Sequence, residues 1–308
     1  MKLTIKTGEP GSKPKLAISF SGGRTSAVMT KLCLEKYKDS HEVLVTFANT
    51  GCEHDNTLQF IKNCDDHFGF GTVWLEAVVN PEKGKGIRHK IVDFDSASRK
   101  GEPFEAYIAK YGIPNMISPQ CTTRLKEEPM NSFRKEMGWL FGSKLNHQTA
   151  IGIRADEVDR MSSKAAEFGF VYPLVNAGYT KEKVLAECKT WPFDLELKGE
   201  HYGNCTWCWK KSKRKLMTLA LEAPEVFDFP RRMEETYGEV KSESAAARDG
   251  RRVFFRKYQS AEDIINDAHK GGFELYRDMV RAEQLLLFDS ELDIGSACGE
   301  SCEIGADH

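Results

Sequence analysis

Residues Ser19-Phe20-Ser21-Gly22-Gly23-Arg24-Thr25-Ser26 place two glycines, four small hydroxyls and one arginine within eight positions. That set of residue types suits the holding of phosphate. Glycine lets the main chain approach an anion, and a helix N-terminus aims N–H groups and a partial positive charge at it. Ser19, Ser21, Thr25 and Ser26 add hydroxyls, and Arg24 adds a full charge. The spacing is neither Gly-x-Gly-x-x-Gly nor the P-loop with its Gly-Lys-Ser/Thr.

Two further polar segments belong with it. Ala48-Asn49-Thr50-Gly51-Cys52-Glu53 follows an apolar run. Asn49 and Thr50 either bond a nucleoside or shape a turn. Gly152-Ile153-Arg154-Ala155-Asp156-Glu157-Val158-Asp159-Arg160 sets arginine beside acids, a pattern that clamps phosphate and binds a divalent cation. Farther on, Cys205-Thr206-Trp207-Cys208 has the spacing that brings two sulfurs to one metal or cluster, or makes a redox dithiol. Cys121 is the best third ligand by residue type, with Cys188 and His201 as weaker fourths. Three thiolates would hold an iron–sulfur cluster (4Fe–4S) with one open iron, or Zn2+.

The elements that must position these residues alternate in a βα rhythm. Lys15–Ile18, Val43–Ala48, Thr72–Val78 and Gln148–Ile153 are rich in β-branched and apolar residues and predict buried strands. Residues 27–32, 54–68, 104–111 and 123–137 predict helices, and residues 80–103 a loop or lid. This rhythm predicts an α/β fold with a mostly parallel sheet covered by helices on both faces. In such a sheet the polar segments at the strand ends face one crevice. After about residue 210 the strand signals fade, and residues 211–222, 224–237, 260–270 and 272–288 predict helices. The expected organisation is a nucleotide-binding domain over 1–210, a helical region over 211–290 and a flexible tail over 291–308.

Net charge is −2 over 308 residues, so no global field draws the chain to nucleic acid or membrane. Cations cluster locally at Lys210–Lys215 and over residues 251–257. Phe254 and Phe255 are interleaved in the second cluster. These runs are either a docking patch for a nucleic-acid or protein acceptor, or solvated helix faces. No apolar run is long enough to span a bilayer, and the opening residues lack the apolar core of a secretion signal. A cytoplasmic location is expected. Nine cysteines in a chain of this size then read as thiols, ligands or redox groups rather than a disulfide scaffold. Cys298 and Cys302, in the tail, are a dithiol suited to thiol exchange or two inert thiols.

Four segments in this order resemble the phosphoadenosine phosphosulfate (PAPS) reductase-like branch of the adenine nucleotide α-hydrolases. They are Ser21–Ser26, Phe47–Glu53, Cys121-Thr122-Thr123-Arg124-Leu125-Lys126, and Gly152–Glu157 with Arg160. The likeness spans about residues 16–210 and implies a Rossmann-like sheet that binds an adenine nucleotide. It implies phosphates at Ser21–Ser26, adenosine beside Phe47–Gly51, and the far phosphate or sulfate beside Arg154. Two departures stand out. Thr25 occupies the place where the ATP-cleaving members carry aspartate, and the tail lacks the reductases' Cys-Gly-Leu/Ile-His ending. Relatives of this kind also accompany mobile elements or CRISPR systems.

The leading expectation is an enzyme that cleaves ATP between its α and β phosphates to activate an acceptor, for sulfur transfer or nucleic-acid modification. Arg24, Ser26, Arg154 and Glu157 are the expected catalytic residues, with Mg2+ near Asp156 or Glu157. Two alternatives stand beside it. One is a reductase of PAPS or adenylyl sulfate that uses a tail thiol, and the other is a nucleotide-binding accessory protein with little turnover.

Overall fold

The computed structural model describes residues 13–240, 247–248 and 250–278. The strands are β1 (Lys15–Ser19), β2 (Glu42–Asn49), β3 (Val73–Val79), β4 (Ile87–Val92), β5 (His147–Ala150) and β6 (Phe170–Val171). They form one sheet in the order β4-β3-β2-β1-β5-β6. Strand β1 pairs in parallel with both β2 and β5, Lys15 lying opposite Glu42 on one side and His147 on the other. The chain therefore moves outward through β2 and β3, then crosses back to the other side of β1. That reversal makes the carboxyl ends of β1 and β5 the switch point where such sheets open a crevice.

The helices around the sheet are α1 (Arg24–Tyr37), α2 (Asp55–Phe68), α3 (Glu102–Tyr111), α4 (Glu128–Glu136), the one-turn α5 (Ala165–Phe168) and α6 (Pro173–Asn176), and α7 (Lys181–Cys188). A helical region follows: α8 (Lys213–Glu222), α9 (Asp228–Tyr237) and α10 (Ala261–Lys270), with a small ribbon of β7 (Ala247–Arg248) and β8 (Arg251–Arg252). The α/β class with its added helical region is as the sequence predicts.

Helix α2 shows how the sequence sets an element. The His54 ring accepts the Asn56 N–H at its start, and Gly69 ends it in the left-handed region at φ 65°. Between them, Leu58 and Ile61 face inward with Phe60. They join Ile18, Val28, Met29 and Phe47 in the core on one side of the sheet. Each fully buried side chain of this size contributes about 1.5–3 kcal/mol. The other side packs Ala48 and Leu75 against Met130 and Phe133 of α4. A separate core joins Phe104 and Tyr107 of α3 to Trp207, Leu216, Phe227 and Phe254, and so ties the helical region to the sheet.

Three expectations change. Residues 80–103 are not all loop, because β4 pairs antiparallel on β3 at the sheet edge. Its exposed Arg88 and Lys90 hide the apolar alternation, and charges of this kind keep an edge from pairing with another chain. The helix expected over 123–137 opens as a π turn, Thr123–Glu127, and becomes regular only from Glu128. Pro129 has no N–H to give to the preceding turn, which loosens the ladder there. Residues 272–278 are not helical, and the rest of the helix expected there lies outside the described residues.

Candidate functional site

Strand β1 delivers the loop Phe20–Gly23 to the switch point, and α1 leaves it. Gly22 stands at φ +83°, where an added Cβ would lie 2.7 Å from Thr57 Cγ2 and 2.9 Å from Ile61 Cδ1. Any side chain there would be strained and would strike α2 as well. Gly23 caps α1 in extended conformation without a side-chain hydrogen bond, which leaves the helix start to be satisfied by something other than a cap. The hydroxyls divide into two kinds. Ser26 is fully buried and braces the loop: its Oγ donates to Gly23 O at 3.0 Å and accepts from Ser21 N and Ser21 Oγ at 3.2 and 2.8 Å. Ser19 Oγ, buried at the end of β1, finds no partner among the described residues.

Strand β5 brings the second segment to the same place. Arg154 Nη1 donates to Thr25 Oγ1 at 3.3 Å, so the guanidinium lies against the first turn of α1. Its neighbours are matched to it. Arg154 Nε is 3.1 Å from Asp156 Oδ1, and Arg160 Nη1 is 2.6 Å from Glu157 Oε1. Glu157 also accepts the Arg154 backbone N–H at 3.3 Å. Both carboxylates are paired with arginines. The structure thus brings Thr25, Arg154, Asp156, Glu157 and Arg160 together beside the loop. Arg24 instead turns to Asp194, which accepts from its Nε at 2.6 Å and from its Nη2 at 2.8 Å. That guanidinium holds the Asp194 carboxyl below its ordinary range. Nothing in the sequence around Asp194 marks it as a partner for residue 24.

The segment after β2 is built inward. Asn49 is fully buried, donates to Glu76 Oε1 at 2.7 Å and to Ser98 O at 2.8 Å, and accepts from Gly51 N. Thr50 N and Oγ1 donate to Glu53, at 2.9 and 2.8–2.9 Å. Phe47 packs edge-on to Trp74 in the core. The side chains of this segment hold the strand end in shape.

The expected metal centre is overturned. Among the described residues, no group of three or more His, Cys, Asp or Glu side chains is placed to hold a metal ion. Cys121, Cys205 and Cys208 therefore do not form an iron–sulfur or Zn2+ site. Cys188 is buried in the sheet-side core, and His201 pairs with Glu222 at 2.9 Å. The turn that holds Cys205 is organised by a different cation. Lys211, 1% exposed, sends its ammonium into the turn and donates to Gly203 O at 2.9 Å, Cys205 O at 3.1 Å and Thr206 O at 2.5 Å. Trp207 anchors the turn between Phe104, Phe229 and Phe254 at centroid distances of 5.1, 5.3 and 4.8 Å. Burial pushes the Cys52 and Cys205 thiols well up, with the charge of Glu53 adding to the effect at Cys205, so both remain protonated.

The basic runs are largely committed within the fold. Lys213 pairs with Asp267 at 2.7 Å, and Lys215 lies under the Tyr276 ring at 4.7 Å. Arg251 donates to the Glu234 and Glu235 carbonyls, and Arg256 to Lys210 O. Arg252 is buried. Cys298 and Cys302 lie outside the described residues. No described helix is long and apolar enough to cross a membrane.

The family model described as the phosphoadenosine phosphosulfate reductase domain matches residues 15–168, half of the chain. The chain is 34% identical over 296 residues to the uncharacterised nin-region protein ORF290 of Escherichia phage lambda, covering 93% of this chain and 94% of that one. An uncharacterised Methanocaldococcus jannaschii protein is 26% identical over 132 residues, 43% of this chain and 22% of its own length. Among solved structures, the PAPS reductase of Candida auris in its phosphate complex is similar over 57% of this chain and 72% of its own, with TM-score 0.34 and 15% identity. The U34-tRNA thiolase NcsA of Methanococcus maripaludis, solved with its 4Fe–4S cluster, is similar over 86% and 75%, with TM-score 0.36 and 18% identity. The family model and the phage relative together establish that this chain belongs to the PAPS reductase domain family.

Proposed function

We propose that the chain binds an adenine sulfonucleotide, PAPS or adenylyl sulfate, in the crevice between the ends of β1 and β5 and reduces it with the thiols of its own tail. The observation that carries the reading is a set of anion-binding groups gathered at the start of α1. The start of α1 lacks a side-chain cap, Ser19 Oγ is buried without a partner, and Arg154 is pinned to Thr25 at 3.3 Å beside them. Backbone N–H groups, a hydroxyl and a guanidinium together suit a phosphate and a sulfate in series. Thr25, in the place where the ATP-cleaving members carry aspartate, favours this reading over metal-assisted cleavage of ATP.

The chemistry needs two electrons, and the two tail thiols supply them. The Cys298 or Cys302 thiolate, its proton given to solvent, attacks the sulfate sulfur. The sulfur–oxygen bond to the nucleotide breaks, and the nucleotide leaves as its 5′-phosphate. The second thiol then attacks the sulfur of the sulfonated cysteine. A disulfide forms, and sulfite leaves with the second proton. A dithiol reductant regenerates the enzyme.

The test supplies PAPS and dithiothreitol to the full chain and measures sulfite against adenosine bisphosphate. Equal yields are expected, with the double variant Cys298→Ser, Cys302→Ser abolishing turnover while leaving nucleotide affinity intact. Pyrophosphate and AMP from ATP would support the ATP-cleaving reading instead. Tight nucleotide binding with no product from either substrate would identify the accessory role.

A further inference from the structure

The face of the sheet covered by α4 carries a cavity that the crevice does not use. It measures about 640 Å³ and lies between α4, the Phe141–Leu145 loop and the strands β5 and β6. That volume falls in the range of small-molecule sites. Met130, Phe141, Leu145, Phe168 and Phe170 supply apolar walls. His147 and Thr149, two residues apart on β5, point into it together with Arg134 of α4.

Arg134 is the unusual member. It is 5% exposed, and its one side-chain hydrogen bond among the described residues runs from Nη1 to Thr149 Oγ1 at 3.4 Å. Its Nε has no partner, and no described carboxylate lies within ion-pair distance. A buried guanidinium without a counter-anion is costly. Burial pushes the Arg134 pKa down to about 10, the charge of Glu127 acting the other way. The buried His147 Nδ1 is also without a partner. Burial first and the charge of Arg134 second push this ring down to about 4, so it is neutral and adds no competing charge near pH 7. Glu127 and Glu167 also line the wall.

We propose that this cavity binds a small organic monocarboxylate, its carboxylate on Arg134 and its apolar body against the phenylalanines. The test titrates the full chain with 1-naphthylacetate, indole-3-acetate and octanoate, each beside its neutral amide, by calorimetry. At least one acid is expected to bind about tenfold or more tightly than its amide, since charged hydrogen bonds carry most of the difference. Arg134→Met should erase that preference while circular dichroism and the melting curve report an intact fold. Should that variant not fold, the wild-type chain labelled at the Met130 methyl decides, because its resonance should move with the acid and not with the amide. Equal affinity for acid and amide would overturn the proposal. So would no binding of any acid up to roughly 1 mM, displacement of the acid by adenosine bisphosphate, or a second copy covering the face in sedimentation.

Discussion

Two loops with similar sequence character, Ser21-Gly22-Gly23 and Gly203-Asn204-Cys205-Thr206, end in opposite electrostatic states. The first gathers backbone donors at the start of α1, where the cap residue Gly23 offers no side-chain hydrogen bond. The second gathers backbone acceptors and fills them with the ammonium of Lys211. Both precede a helix, and both are rich in small residues. What separates them is whether a nearby side chain supplies the missing charge. A loop that satisfies itself is a structural part, whereas a loop that leaves polar groups for an outside partner is a site.

The comparison breaks most readily at Lys211. Lys211→Met leaves three buried carbonyls without a donor, and we expect a loss of about 3 kcal/mol in urea unfolding. Unchanged stability would mean that the turn is not built on that ammonium. Next in size is Gly22→Ala, which forces a Cβ into Thr57 and Ile61 at a positive φ. Nucleotide affinity should fall roughly a hundredfold in a binding titration, with a smaller drop in melting temperature. Arg154→Met sharpens the contrast from the other side. Affinity should fall about 10–30-fold while stability barely moves, since this group's work lies with the ligand.

The smallest expected effect belongs to Arg24 and Asp194. Asp194 is half exposed, so solvent screens the pair and its worth is below about 1 kcal/mol. The sign is fixed by the depressed carboxyl of Asp194. Its stabilisation is present above the unfolded carboxylate range, near pH 4, and is lost as pH falls through the lower folded value. Asp194→Asn should remove that small acid-side slope and leave the neutral-pH affinity for nucleotide unchanged.

How much of this was legible in the sequence follows the same division. Strands β1, β2 and β3 and helices α1 and α2 were readable because apolar periodicity is strong where both sides of the sheet are covered. Strand β4 was not, because an edge carries charges where a central strand carries valine. The convergence of Ser21–Ser26 with Arg154–Arg160 was readable from their places at strand ends. The fate of individual polar groups was not. Asn49 and Thr50 have the types of ligand-binding residues, yet they hold Glu76, Ser98 and Glu53, contacts that only the folded chain creates. The cysteine pair suggested a metal because spacing records which residues come close in the chain, not which charge the turn around them already holds. A lysine three residues beyond a C-x-x-C pair was the available signal, hidden inside a run that looked like a solvated face.

The central claim is that an adenine nucleotide places its phosphate against the open main chain after β1. A crystal structure with adenosine 3′,5′-bisphosphate tests it most directly. The account predicts the 5′-phosphate oxygens within hydrogen-bond distance of the Gly22–Thr25 amides, with the Arg154 guanidinium beside them. A nucleotide seated elsewhere, with the loop unchanged and empty, would contradict it.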